Sequence, residues 1–150
     1  MASKLEVEVD VKSSADKFWD CLRQSAILFP KIFPEIYKSI EIIEGDGMGV
    51  GNIRHIIYAE GVPMVTFAKE KIEVADEKNK TIAYSVIEGD IVNFYKNFKA
   101  TLQVLSKGDG ALVKWKGEFD KANDEVPEPT LLQQTAAKTF KDLDEYLLKT

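Results

Sequence analysis

A chain of 150 residues, 45% apolar and 30% charged, is long enough for one domain with a single sizeable core and would be a squeeze for two. Twenty Lys and Arg against 25 Asp and Glu leave a formal net charge of -5, which favours solubility and argues against a phosphate-built partner, so no nucleic acid is expected. The lone Cys21 cannot close an internal disulfide, and with His55 as the only histidine there is little from which to assemble a zinc site.

The first residues, MASKLEVEVDVK, carry no signal-peptide stretch and no glycine at position 2, and nowhere do about 18 apolar residues run together. A cytoplasmic protein without stable membrane association is expected. Over 5–11, Leu5, Val7, Val9 and Val11 alternate with acidic residues, the period of a strand with one wet face. Ser13 and Ser14 then precede Phe18, Cys21 and Leu22 at helical spacing, with a serine hydroxyl able to accept from a free backbone N–H, so a short helix follows. In 26–37, Pro30 and Pro34 rule out one long helix but permit a second short one.

Six further strands are predicted at 39–44, 52–59, 64–75, 80–87, 94–105 and 111–120, with turn signals at 45–51, 60–63, 76–79, 89–90 and 108–110. Short polar turns make neighbours antiparallel. Ile82, Tyr84 and Val86 share one face, as do Phe98, Ala100, Leu102 and Val104, and as do Val113, Trp115, Gly117 and Phe119. Past the proline-bearing stretch 123–129 comes a breaker-free run entered at Pro129 and Thr130, the one long helix. Leu132, Ala136, Phe140, Leu143 and Leu147 mark its buried face, while Lys138, Lys141, Asp142 and Glu145 lie mostly on the other.

This order of elements predicts an α+β domain spanning 1–150: a curved seven-stranded antiparallel sheet around a long C-terminal helix, with two short helices between strands one and two. Small residues at Ala100, Gly117, Thr135 and Ala136 leave room for an apolar hollow carrying a few polar groups, Tyr58, Tyr84, Thr135 and Arg54. The same pattern also describes an ordinary packed core, the commoner use of Trp, Phe and Tyr at strand period. Spacing does not measure volume.

The stretch LFPKIFPEIYKSIEIIEGDGMGVGNI at 28–53, together with YAEGVP at 58–63, YSVIEGD at 84–90, EGDIVNFYKNFKATLQV at 88–104 and the ending LDEYLLKT, resembles the birch-pollen-allergen (Bet v I) superfamily of plants, and within it the major latex proteins. The resemblance covers the whole chain. It implies the helix-grip (START-like) fold, a large hydrophobic cavity, and a cytosolic binder or carrier of steroids, flavonoids, lipids or hormone-like metabolites tied to defence or stress. Under it the ligand-binding positions are Phe29, Tyr37, Arg54, Ile56, Tyr58, Phe67, Ile82, Tyr84, Phe98, Ala100, Leu102, Trp115, Leu132, Thr135, Ala136 and Thr139. A monomer without cofactor or metal, whose partner is a hydrophobic small molecule, is expected.

Arg54 shares the parity of Ile56 and Tyr58, placed either to meet an acidic ligand head group or to pair with a carboxylate such as Glu70. Gly45, Gly47, Gly49 and Gly51 suggest a phosphate cradle, but position 50 is valine where G-x-G-x-x-G needs glycine, and a strand follows instead of a helix. A structural loop is the reading. His55 has no arguable partner and belongs at the surface or a sheet edge. Asn79-Lys80-Thr81 has glycosylation-acceptor form but reads as a turn, and Glu73, Asp76, Glu77, Lys78 and Lys80 as a solvated charge cluster. Lys114, near where enzymes of the superfamily carry a lysine, alternates onto the polar side and is not expected to be catalytic. The leading function is a non-catalytic carrier. The alternative is a cofactor-free cyclase or isomerase of terpenoid or alkaloid intermediates, while the gate loops of hormone receptors sharing the fold are not reproduced by Glu60-Gly61-Val62-Pro63-Met64.

Overall fold

Alternation at the amino terminus becomes β1 (Ser3–Val11) in the computed structural model, which describes residues 3–45, 49–60, 66–126 and 129–149. Leu5, Val9 and Val11 are buried and the charged residues between them face water. Ser14 caps α1 (Ala15–Arg23), its hydroxyl accepting from the Lys17 N–H at 3.2 Å, and α1 buries Phe18, Trp19, Cys21 and Leu22. The second short helix, α2 (Ser25–Ile32), contains Pro30 near its end, where the missing N–H weakens the last turn. It does not reach the predicted limit at residue 37, because Tyr37 already opens β2 (Tyr37–Glu44).

There follow β3 (Ile53–Tyr58), β4 (Phe67–Asp76), β5 (Thr81–Gly89), β6 (Tyr95–Lys107) and β7 (Gly110–Lys121). The predicted hairpin break at 89–90 is longer than expected, a single 3₁₀ turn over Asp90–Asn93. Asp90 organises it: its carboxylate accepts from the N–H groups of Thr66 and Phe67 at 3.1 and 3.2 Å and from the Thr66 hydroxyl at 2.9 Å. Gly47, the segment 61–65 and residues 127–128, which the sequence places in the glycine loop, the turn and start of the fourth strand, and the stretch before the last helix, lie outside the described residues.

All pairings are antiparallel, in the order β1-β7-β6-β5-β4-β3-β2. Consecutive strands β1 and β2 therefore stand at opposite edges, and α1 and α2 bridge them across one end of the sheet. Register shifts at Ile42/Glu44, Lys69/Glu70, Ile72/Val74 and Lys96/Lys99 bend the strands and deepen the concave face. Gly89 ends β5 at φ 140°, and a Cβ there would approach the Phe67 carbonyl oxygen to 2.6 Å. Gly89→Ala is expected to cost about 1–3 kcal/mol, read as a lower urea midpoint at unchanged slope.

The long helix α3 (Thr130–Leu148) lies against β1 and α1. Its second half buries Phe140, Leu143 and Leu147, and Asp144 fastens it to the β1–α1 junction by accepting from the Lys12 and Ser13 N–H groups, both at 2.9 Å, and from the Ser13 hydroxyl at 2.6 Å. Lys17 Nζ donates to the Leu147 carbonyl at 2.7 Å, covering an otherwise open helix end. Leu132, Thr135, Ala136 and Ala137 in the first half are only half-buried. This half spans the concavity. The result is the curved sheet around a long helix that the element order predicts, the helix-grip arrangement that the resemblance implies.

Candidate ligand cavity

Between the concave face, α2 and the first half of α3 lies a cavity of about 240 Å³. Phe29 and Tyr37 line it from α2 and β2; Arg54, Ile56 and Tyr58 from β3; Ile82 and Tyr84 from β5; Phe98 and Leu102 from β6; Trp115 from β7; and Leu132, Thr135, Ala136 and Thr139 from α3. Phe67 and Ala100 do not. On β4 the inward parity belongs to Ala68, Glu70 and Ile72, so Phe67 turns to the outer side and meets the His55 ring edge-on at 5.7 Å. Ala100 does face inward but is sealed in the core opposite Gly117, and the space above Gly117 is occupied by the Leu5 side chain. Of the four small residues expected to open the hollow, only Thr135 and Ala136 border it.

Polar groups gather at one pole. Arg54 and Glu70 stand opposite each other in the β3–β4 register, with Arg54 Nη2 donating to Glu70 Oε1 at 2.9 Å and Nη1 donating to Ser25 Oγ at 2.9 Å. Their side chains are only 12% and 10% exposed. Pairing with Glu70 is therefore the alternative realised. Burial pushes the Glu70 carboxyl above its usual range, against the opposing pull of the Arg54 charge and hydrogen bond. The phenols of Tyr37, Tyr58 and Tyr84 are likewise raised, by burial first and by the Glu70 charge second. Trp115 Nε1 donates to the Tyr84 hydroxyl at 3.3 Å. The Tyr37 ring lies against Phe29 and Tyr58 with centroids 5.6 and 5.8 Å away. Thr139 spends its hydroxyl on the Thr135 carbonyl one turn back, at 2.8 Å.

Glu70, Ser25 and Tyr95 also line the cavity and were not anticipated. A glutamate within a charged run reads as solvent-facing, and only its parity with Ile72 marks it as inward. Tyr95 and Phe98, three apart, both face in because the register shifts between Lys96 and Lys99, where Asn97 adopts φ 55°. No simple alternation reveals that.

The remaining features are structural. Gly45 has φ 84°, and a Cβ there would fall on the Asn52 carboxamide, which donates to the Gly49 carbonyl at 2.6 Å; Gly51 has φ 89°, and none of these residues borders the cavity. Asn79 and Lys80 do lie in the β4–β5 turn, and Thr81 opens β5. The charges around it are more organised than a solvated cluster, because Lys80 reaches Asp16 at 3.1 Å and Glu77 reaches Arg23 at 2.8 Å, tying the hairpin to α1. Exposed pairs of this kind add little stability. Lys114 is not among the cavity residues, and the buried Cys21 thiol is pushed up to about 11 by burial and the nearby Asp20, which leaves it inert at neutral pH. No helix among the described residues is long and apolar enough to cross a membrane.

The fold is shared with known proteins. MLP-like protein 423 of Arabidopsis thaliana is 47% identical over 149 residues, covering 99% of this chain and 96% of that protein. Major latex protein 146 of Papaver somniferum is 35% identical over 150 residues, covering 98% and 92%. The crystal structure of ginseng major latex-like protein 151 superposes with a TM-score of 0.85 at 26% identity over 98% of both chains. Norcoclaurine synthase from Thalictrum flavum, in complex with dopamine and hydroxybenzaldehyde, has a TM-score of 0.83 at 24% identity over 99% of this chain and 88% of that one, a likeness of fold alone. The profile of the Pathogenesis-related protein Bet v 1 family matches residues 1–150, and with these relatives it establishes that the chain belongs to that family, whose fold binds hydrophobic ligands.

Proposed function

We propose that this protein binds and carries hydrophobic small molecules in the cavity between the sheet and α3, as a cytoplasmic monomer serving plant defence or stress responses, with no nucleic-acid or membrane partner and no cofactor. The observation that carries the reading is a mostly apolar cavity of about 240 Å³ between the sheet and α3, with the buried Arg54–Glu70 pair among its lining. A ligand burying roughly 350 Å² of apolar surface gains about 9 kcal/mol. Association costs about 4 kcal/mol or more. The remainder alone corresponds to a Kd on the order of 10⁻⁴ M, and one or two hydrogen bonds at the polar pole bring it toward the micromolar range. Area-driven binding is tolerant, so unrelated ligands of similar size should fall within about 10- to 100-fold of one another. Strict preference for one compound would count against the reading.

Ala136→Trp tests it. Ala136 borders the cavity from the half-buried part of α3, so an indole there should fill the space. A drop of roughly tenfold or more in binding of an apolar fluorescent dye is expected, with a stability loss of no more than about 2 kcal/mol. Gross unfolding instead would mean a packed interior. Native mass spectrometry of the protein from its own tissue would identify the cargo. The tyrosines around Glu70 supply the one feature favouring a cyclase or isomerase, since proton transfer needs a buried acid or base. Turnover of a terpenoid or alkaloid intermediate by the purified protein would select that reading; stoichiometric protection would select the carrier.

A further inference from the structure

We infer that the Arg54–Glu70 pole makes the cavity select uncharged ligands that donate a hydrogen bond from one end, an alcohol or a phenol, and discriminate against carboxylates. The inference rests on the cavity-binding reading and adds the chemistry of the ligand's polar end. A lone buried arginine would invite an anion. Here two of the five guanidinium N–H groups are already engaged, since Glu70 Oε1 and Ser25 Oγ each accept one at 2.9 Å, and its Nε, which has no hydrogen-bond partner, is sealed away from the open space. A ligand carboxylate would place a second negative charge beside Glu70 in surroundings of low polarity, and an ammonium group would place a second positive one beside Arg54.

What the pole adds to its tyrosine donors is acceptor capacity. Glu70 Oε2 accepts no hydrogen bond from the described residues and is not sealed, so the strongest acceptor in the cavity remains free. The Tyr37 and Tyr58 hydroxyls also have no hydrogen-bond partner among the described residues, and the Tyr84 hydroxyl, which accepts from Trp115, keeps its own proton to give. One ligand hydroxyl can donate to Glu70 and accept from a tyrosine. An ether or ketone can only accept.

Three probes of one skeleton separate these cases near neutral pH: 2-naphthol, 2-methoxynaphthalene and 2-naphthoate, titrated by calorimetry or fluorescence. The naphthol is expected to bind roughly tenfold more tightly than the methoxy compound, and the naphthoate more weakly than either. In Arg54→Met/Glu70→Leu the naphthol and methoxy compounds should bind alike, and in Glu70→Gln the lead of the naphthol should narrow. Naphthoate binding as tightly as naphthol, or a naphthol lead that survives in both variants, overturns the inference while methoxynaphthalene binding preserves the cavity reading. If none of the three binds the unaltered protein, the cavity reading falls and takes the inference with it.

Discussion

Arg54→Met is expected to lower the unfolding free energy by about 3 kcal/mol near neutral pH, because it strands a carboxylate whose side chain is only 10% exposed. Breaking a buried pair from one side is costly since the surviving charge keeps its desolvation penalty and loses its partner. Burial already raises the Glu70 carboxyl, and Arg54 is what opposes that rise, so without the guanidinium it climbs further. The sign follows from linkage. A folded-state pKa above the unfolded one contributes stability present below the unfolded value and lost as pH rises through the folded one. The deficit of the variant should therefore widen between about pH 5 and pH 8 when urea unfolding is measured at both. A deficit that stays flat with pH would mean that Glu70 is solvated. Adding Glu70→Leu should restore most of the loss, since an apolar pair needs no compensation.

Asp144→Ala should cost a similar amount, about 3 kcal/mol, and lower Tm by roughly 6–12 °C. One carboxylate satisfies two N–H groups and a hydroxyl at 2.6–2.9 Å, and Ser13 is buried, so alanine leaves several polar groups without partners. Burial tends to raise the Asp144 carboxyl, but the Ser13 hydroxyl and the Lys12 and Ser13 N–H groups together hold it below its usual range. For a depressed carboxyl the contribution is present above the unfolded pKa and lost as pH falls through the folded one. The gap between the parent protein and the variant should hold constant above about pH 5 and close progressively below about pH 4. An acid-independent gap would show that the bonds form equally well to the neutral acid.

The same two sites show how far the linear pattern reaches. Ser14 as a helix cap, the alternation of β1 and β7 and the buried face of α3 are local properties, each set by residues a few positions apart, and they are legible in the chain. Most of the cavity wall follows from them, since inward parity places Ile56, Tyr58, Ile82, Tyr84 and Leu102 on one surface. Parity fails where the backbone carries an extra residue. The shift at Lys96/Lys99 brings Tyr95 inside beside Phe98, and on β4 the resemblance pointed to Phe67 while the pleat turned Glu70 inward.

Local periodicity was thus enough to mark seven strands, three helices and, on most of them, the side that avoids water, because those preferences are settled within a few residues. Whether the enclosed space stays open, which carboxylate neutralises Arg54, and what anchors α3 were decided only when distant segments met. Asp144 and Ser13 are 131 positions apart, and Arg54 touches both Ser25 and Glu70 from separate elements. Volume and charge pairing are properties of that three-dimensional meeting, and no spacing along the chain encodes them.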